Sequence, residues 1–76
     1  MDNKVRRQLI KQRLKEEIEN SGMSFSEIAE KVGITSSLIS QYRNTYKMPS
    51  LVNLSKICEI IGADANYILG ITDTSL

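Results

Sequence analysis

Residues 24–43 decide the fold, and they read Ser-Phe-Ser-Glu-Ile-Ala-Glu-Lys-Val-Gly-Ile-Thr-Ser-Ser-Leu-Ile-Ser-Gln-Tyr-Arg. Ser24 is followed three residues later by Glu27, which is the spacing of a capping box at the start of a helix. Gly33 follows the last apolar residue of that helix, where a left-handed backbone conformation ends a helix at little cost. Thr35 is then placed to cap a second helix. The stretch therefore predicts two short helices joined by one tight turn.

Helix one is predicted ahead of this stretch, over residues 2–21. Its apolar side chains recur at spacings of about three and four, which places them near one face. They are Val5, Leu9, Ile10, Leu14 and Ile18. The basic residues of the same helix all precede its glutamates, so one end could lie near phosphates. On charge alone we favour a solvated helix face for these cations.

Two further helices are predicted after the stretch. Residues 43–49 form a polar connection, and Ser50 then caps helix four, whose apolar stripe is Leu51, Leu54, Ile57, Cys58 and Ile61. Asp64 caps a short helix five over residues 65–69. The predicted organisation is one domain over residues 1–76, with a core at 3–70 and a flexible tail at 71–76.

Composition excludes several classes of protein. Hydrophobic residues make up 41% of the 76, too many for a disordered chain, yet no apolar run is long enough to span a bilayer. The N-terminus has no apolar signal region and Cys58 is the single cysteine, so we expect a cytoplasmic protein. With zero histidines, we expect no metal, no cofactor and no enzymatic activity. Cys58 is predicted to be a small buried hydrophobe.

A helix, a glycine turn and a second helix form the helix-turn-helix motif, whose second helix enters the DNA major groove. The residues resemble the Cro and phage-repressor family, also called the xenobiotic-response-element family, from about Leu14 to Gly70. Counted from Phe25, the matching positions are apolar Ile28, small Ala29 at the helix crossing, Gly33 in the turn, and Ile34, Ile39 and Tyr42 in the core.

The resemblance continues downstream, where Met-Pro-Ser at 48–50 and Ala-Asn-Tyr-Ile-Leu-Gly at 65–70 are similar to the family's fourth and fifth helices. It implies an all-α, five-helix, lambda-repressor-like DNA-binding domain with the helix-turn-helix at helices two and three. Two positions depart from the family pattern. An arginine–glutamate pair is replaced by Ile18 and Arg43, which predicts apolar packing and a free Arg43. Phe25 stands where the family often has a phosphate-contacting glutamine.

The resemblance implies that helix 35–43 presents its base-reading residues to the major groove. Carried over by position, they are Ser36, Ser37, Ser40 and Gln41. Gln41 is the strongest candidate because glutamine can bond both N7 and the amino group of adenine. Serine hydroxyls both donate and accept, so they discriminate bases poorly. Leu38 could complete the core or touch a thymine methyl, and we favour the core.

Phosphate contacts are implied around the two ends of the same helix. The candidates are Thr35, Asn44, Lys47 and Arg43, with Tyr46 and the position of Phe25 as further ones. Turn chemistry alone would make Asn44 and Lys47 an ordinary polar turn. Their place directly beyond the recognition helix favours the phosphate interpretation instead.

We therefore expect a sequence-specific double-stranded DNA-binding transcriptional regulator, a repressor acting as a homodimer on a palindromic operator. Val5, Leu9 and Ile10 could form the dimer surface, as could Ile68 and Ile71; equally, the first three could only complete the core. The alternative function is a DNA-binding antitoxin, or a protein-interaction module whose partner is a toxin.

Overall fold

The structure, a computed structural model, describes residues 1–73, and these residues form five helices and no strand. The helices are α1 Asn3–Asn20, α2 Phe25–Val32, α3 Ser36–Asn44, α4 Leu51–Ile61 and α5 Ala65–Ile68. These bounds agree with the predicted ones to within about one residue. The predicted all-α class and the positions of α2 and α3 are therefore confirmed for this part of the chain.

Short polar side chains cap the helices from α2 to α5 at the predicted residues. Ser24 Oγ accepts the Glu27 N–H at 3.1 Å, and the Ser24 N–H donates to Glu27 Oε1 at 3.3 Å, which completes the capping box. The other predicted caps are present as Thr35 on α3, Ser50 on α4 and Asp64 on α5. Each cap satisfies a backbone N–H that the first turn of a helix leaves unpaired.

The turn between α2 and α3 depends on Gly33, whose φ is +88°. Its N–H donates to the Ala29 carbonyl at 2.8 Å, and the Ile34 N–H donates to the same oxygen at 3.0 Å. A side chain at Gly33 would meet no atom within 4 Å, so the requirement for glycine comes from the positive φ and not from lack of space. This turn fixes the direction in which α3 leaves α2.

One hydrophobic core joins all five helices. Its buried members are Leu14, Ile18, Ile28, Ala29, Val32, Ile39, Tyr42, Leu54, Ile57, Cys58 and Ile68. Tyr42 is only 2% exposed, and its hydroxyl accepts a hydrogen bond from Asn53 Nδ2 at 3.2 Å. Burial raises the pKa of the Cys58 thiol, and the charges of Asp64 and Glu17 raise it further. Cys58 is thus the small buried hydrophobe that its sequence position predicts.

Two apolar positions differ from the prediction. Leu51 is 82% exposed and does not belong to the core. Because a helix has 3.6 residues per turn, it lies at the edge of the stripe centred on Leu54, Ile57 and Ile61. Ile68 is fully buried, so it is not available for the dimer surface to which the sequence assigned it. Val5 and Ile71, by contrast, are 47% and 65% exposed.

No helix in residues 1–73 is long and apolar enough to cross a membrane. The start of the predicted tail is hydrogen-bonded to the rest of the protein, because the backbone N–H groups of Ile71 and Thr72 both donate to the Asn66 carbonyl. Residues 74–76 of that tail lie outside the described residues.

Candidate nucleic-acid interface

The exposed side of α3 is polar along its whole length. Ile39 and Tyr42 point into the core, so the opposite side of the helix faces solvent. Residues spaced three, four and seven apart share one side of a helix. We call this side the α3 face; it comprises Ser37, Ser40, Gln41 and Asn44, with Ser36 at its edge. Three of the predicted base-reading residues thus lie on the face itself and the fourth lies beside it.

The hydrogen bonds of α3 hold Gln41 in place and leave its side chain available. The Gln41 carbonyl accepts from the Thr45 N–H at 2.9 Å and from Thr45 Oγ1 at 2.7 Å. Within residues 1–73, no hydrogen bond engages its side-chain amide. Ser40 differs, because its hydroxyl accepts from Asn44 Nδ2 at 3.2 Å. Gln41 therefore combines a fixed backbone with an unengaged donor and acceptor.

The predicted phosphate contacts lie at the two ends of α3. Thr35 is exposed at the N-terminal end, where Oγ1 accepts the Leu38 N–H at 3.2 Å and keeps its own O–H free to donate. Lys47 is exposed beyond the C-terminal end. Tyr46 is 86% exposed beside it. The arrangement places a polar face between two flanking sets of donors.

Comparison with known protein families identifies the family to which this domain belongs. A family model described as a helix-turn-helix domain matches residues 11–73. The chain belongs to this helix-turn-helix family. No curated protein and no solved structure gave a significant match. Membership supports DNA binding and a role in transcription regulation.

Arg43 is not free, so that prediction is wrong. Its guanidinium forms an ion pair with Glu19 of α1, donates to Asn44 Oδ1 at 2.7 Å and lies 5.8 Å from the centre of the Phe25 ring. Ile18, the neighbour of Glu19, is buried as predicted. In this helix-turn-helix domain the link between α1 and α3 is thus made one residue later on α1, with the charges exchanged.

Phe25 packs against the core and under Arg43. A phenyl ring offers neither a charge nor a hydrogen-bond donor to a phosphate. Whatever phosphate contact this position makes would have to come from its backbone N–H at the start of α2. The side chain contributes packing instead.

Only some of the basic residues of α1 are solvated, which corrects the interpretation drawn from charge alone, because Arg6, Lys11 and Arg13 donate to backbone carbonyls. Arg6 Nη1 donates to the Leu69 carbonyl at 2.9 Å. Arg13 Nη1 donates to the Tyr67 and Thr72 carbonyls at 2.6 and 2.8 Å, and its guanidinium lies 4.3 Å from the centre of the Tyr67 ring. These cations donate to carbonyls at the C-terminal end of α5 and just after it, where they also interact favourably with the helix dipole.

Lys11 is a structural residue of the candidate interface that the sequence did not single out. Its ammonium donates to the Tyr42 carbonyl in the last turn of α3 and to the Lys47 carbonyl, the latter at 2.6 Å. It therefore ties both α3 and the following loop to α1. Burial lowers the pKa of Lys11. The cost of burying the charge is present at neutral pH and disappears as pH rises toward the ordinary pKa of 10.5, and the two carbonyls offset it only in part, since the pKa stays lowered.

Replacing Lys11 with methionine should lower the free energy of unfolding by about 1 kcal/mol, because two charge-assisted hydrogen bonds at the end of α3 are lost. The value is kept low because the side chain is only half-buried. Lys15→Met is the matched control, since it removes the same charge from the same helix without removing a carbonyl contact. Urea unfolding followed by circular dichroism measures both. Equal stabilities for the two variants would contradict the role of Lys11.

Asn44 is a second residue whose predicted position the structure changes. The sequence placed it in a turn beyond the recognition helix, but α3 includes it as its last residue. It stands four residues after Ser40, on the α3 face. The helical period of 3.6 residues already predicts that Asn44 shares a side with Ser40. This was missed because the predicted helix ended one residue too early.

Proposed function

We propose that the chain is a sequence-specific DNA-binding regulator of the Cro and phage-repressor type that represses transcription as a homodimer on a palindromic operator. The observation that carries the proposal is the α3 face, which is polar, has Ser37 and Asn44 exposed and Ser40 and Gln41 half-buried, and lies opposite the buried Ile39 and Tyr42. A polar helix face of this kind fits the major groove and its donor and acceptor code. The proposal includes no catalytic role.

The roles within the interface follow from position. Gln41 reads bases with its free side-chain amide, Ser36, Ser37 and Ser40 make less discriminating contacts, and Asn44 reads or positions at the end of the face. Thr35 and Lys47 contact phosphates on either side. Arg43 serves chiefly to hold Asn44 and Glu19, with its remaining N–H groups directed to phosphate. Because direct readout by serines is weak, DNA shape contributes part of the specificity.

A homodimer is proposed because one recognition helix contacts too few base pairs for tight specific binding. Exposed apolar side chains supply two candidate surfaces. One is the first turn of α4, where Leu51 and Val52 are 82% and 62% exposed. The other is formed by Val5 of α1 and Ile71 after α5. Leu51→Glu and Val5→Glu distinguish them, because only the variant on the true surface should dissociate the dimer in sedimentation experiments.

Selection of bound duplexes from a random pool tests the function. We expect a consensus with two-fold symmetry whose half-sites lie one helical turn apart, about 10 base pairs, or a multiple of it. A consensus without symmetry would contradict the homodimer and leave DNA reading intact. No enrichment would contradict sequence-specific binding, and would favour an interaction module such as an antitoxin, particularly if a toxin-like protein copurifies.

A further inference from the structure

A cleft of about 280 Å³ lies between α1 and the C-terminal end of α3. One wall is a single side of α1, on which Arg7, Lys11 and Lys15 follow each other at four-residue spacing. The other wall is the end of α3 and the residues after it, including Arg43, Asn44 and Tyr46. We call it the α1 cleft. Four cations and no carboxylate line it.

Two of these four cations already have protein partners. Lys11 donates to backbone carbonyls, and Arg43 pairs with Glu19. Arg7 and Lys15 make no hydrogen bond or ion pair with any part of the chain that the structure describes. The cleft therefore contains two positive charges that no described residue neutralises, on either side of a third that holds the loop.

The spacing of the two free charges indicates the kind of anion that would bind. Arg7 and Lys15 are eight residues apart, which corresponds to about 12 Å along the helix axis. One phosphate ion would meet both only if the two side chains lay along the helix toward each other. A DNA strand instead carries one charge for about every 3.4 Å of its length, so it presents separate phosphates to both cations.

The position of the cleft continues the proposed interface. Asn44 belongs to the α3 face and also lines the cleft, so the cleft begins where that face ends. Tyr46 adds an exposed hydroxyl at the rim. We infer that the α1 cleft binds the sugar-phosphate backbone of DNA that flanks the bases read by α3. This inference rests on the proposed DNA-binding function and extends the contacted site outward from each half-site.

Part of the cleft lies outside the shared family domain. The family match begins at residue 11, whereas α1 begins at Asn3. Arg7 therefore belongs to a helical extension that the helix-turn-helix family model does not cover. Arg6, its neighbour, anchors that extension by donating to the Leu69 carbonyl at 2.9 Å. The extension is thus tied to the end of α5, beside the position from which Arg7 lines the cleft.

The test compares two variants with equal loss of charge. Arg7→Ala with Lys15→Ala removes both free cations of the cleft; Lys4→Ala with Lys56→Ala removes two exposed cations that do not line it. Each full-length protein is titrated by fluorescence anisotropy, over a range of salt, against the selected consensus duplex. One duplex carries about ten further base pairs, one helical turn, on each side, and the other ends at the consensus.

We expect the cleft variant to bind the flanked duplex more weakly, with a salt slope about two units shallower per bound protein chain. It should match the wild type on the trimmed duplex and in thermal melting, because neither side chain has a protein partner. Equal slopes for the cleft and control variants on the flanked duplex would overturn the inference while leaving the proposed function intact. If the wild type selects no DNA, the proposed function and the inference fail together.

Discussion

Replacing Ala29 with leucine is expected to lower the free energy of unfolding by about 1–3 kcal/mol, because the added isopropyl group has no room at the crossing of α2 and α3. Ala29 is 3% exposed, and its neighbours on the same side of α2, Ile28 and Val32, are buried as well. The backbone cannot shift easily to make space. The Ala29 carbonyl already accepts hydrogen bonds from both Gly33 and Ile34 in the turn.

A loss of that size is a large part of the stability of a chain this small, whose total is only several kcal/mol. Ser26→Leu is the control, because it adds similar apolar bulk to an exposed position of the same helix and should change stability by less than about 0.5 kcal/mol. Urea unfolding followed by circular dichroism measures both. If Ala29→Leu were as stable as the wild type, α2 and α3 would not cross closely there, contrary to the helix-turn-helix packing.

The helix boundaries were predictable because their signals are local. The capping box joins Ser24 and Glu27, three positions apart, and Gly33 marks the following turn by residue type alone. Such interactions form between neighbours in the chain, so spacing in the sequence determines them. The same holds for the α3 face, which follows from the helical period once Ile39 and Tyr42 are assigned to the core.

The interactions that the sequence did not predict join residues far apart in the chain. Lys11 donates to the carbonyl of Tyr42, 31 positions later, and Arg43 donates to the carboxylate of Glu19, 24 positions earlier. A periodic pattern states which side of a helix is apolar, but not how far the neighbouring helices extend along it. Leu51 illustrates this, since it continues the apolar stripe of α4 and is nevertheless exposed at its edge.

The charge pattern of α1 also failed to predict which cations are solvated, because their partners lie far away in the sequence. Basic residues on α1 suggested a solvated face, yet Arg6 and Arg13 donate to carbonyls at the end of α5. A helix C-terminus concentrates unpaired carbonyls, which attract cations from any element packed beside it. Only the packing of α1 against α5 separates these structural cations from Arg7 and Lys15, which remain available for another partner.

Gln41→Ala should reduce affinity for the selected consensus by about 1–3 kcal/mol and relax the preference at one base pair. The side chain stands on the α3 face with its amide unengaged within the described residues, and Thr45 fixes its backbone carbonyl. Both the oxygen and the amino group are therefore available to adenine. Because the residue lies outside the core, thermal melting of the variant should match that of the wild type.

Lys47→Ala supplies the contrasting variant for the same titrations. Lys47 is exposed beyond the end of α3, so its loss should weaken binding to all sequences and make the salt slope shallower by about one. For Gln41→Ala the salt slope should stay unchanged, since an uncharged side chain releases no counterions. Equal losses of affinity on consensus and random duplexes would show that Gln41 does not read bases. Base recognition would then have to come from the serines and Asn44 of the α3 face.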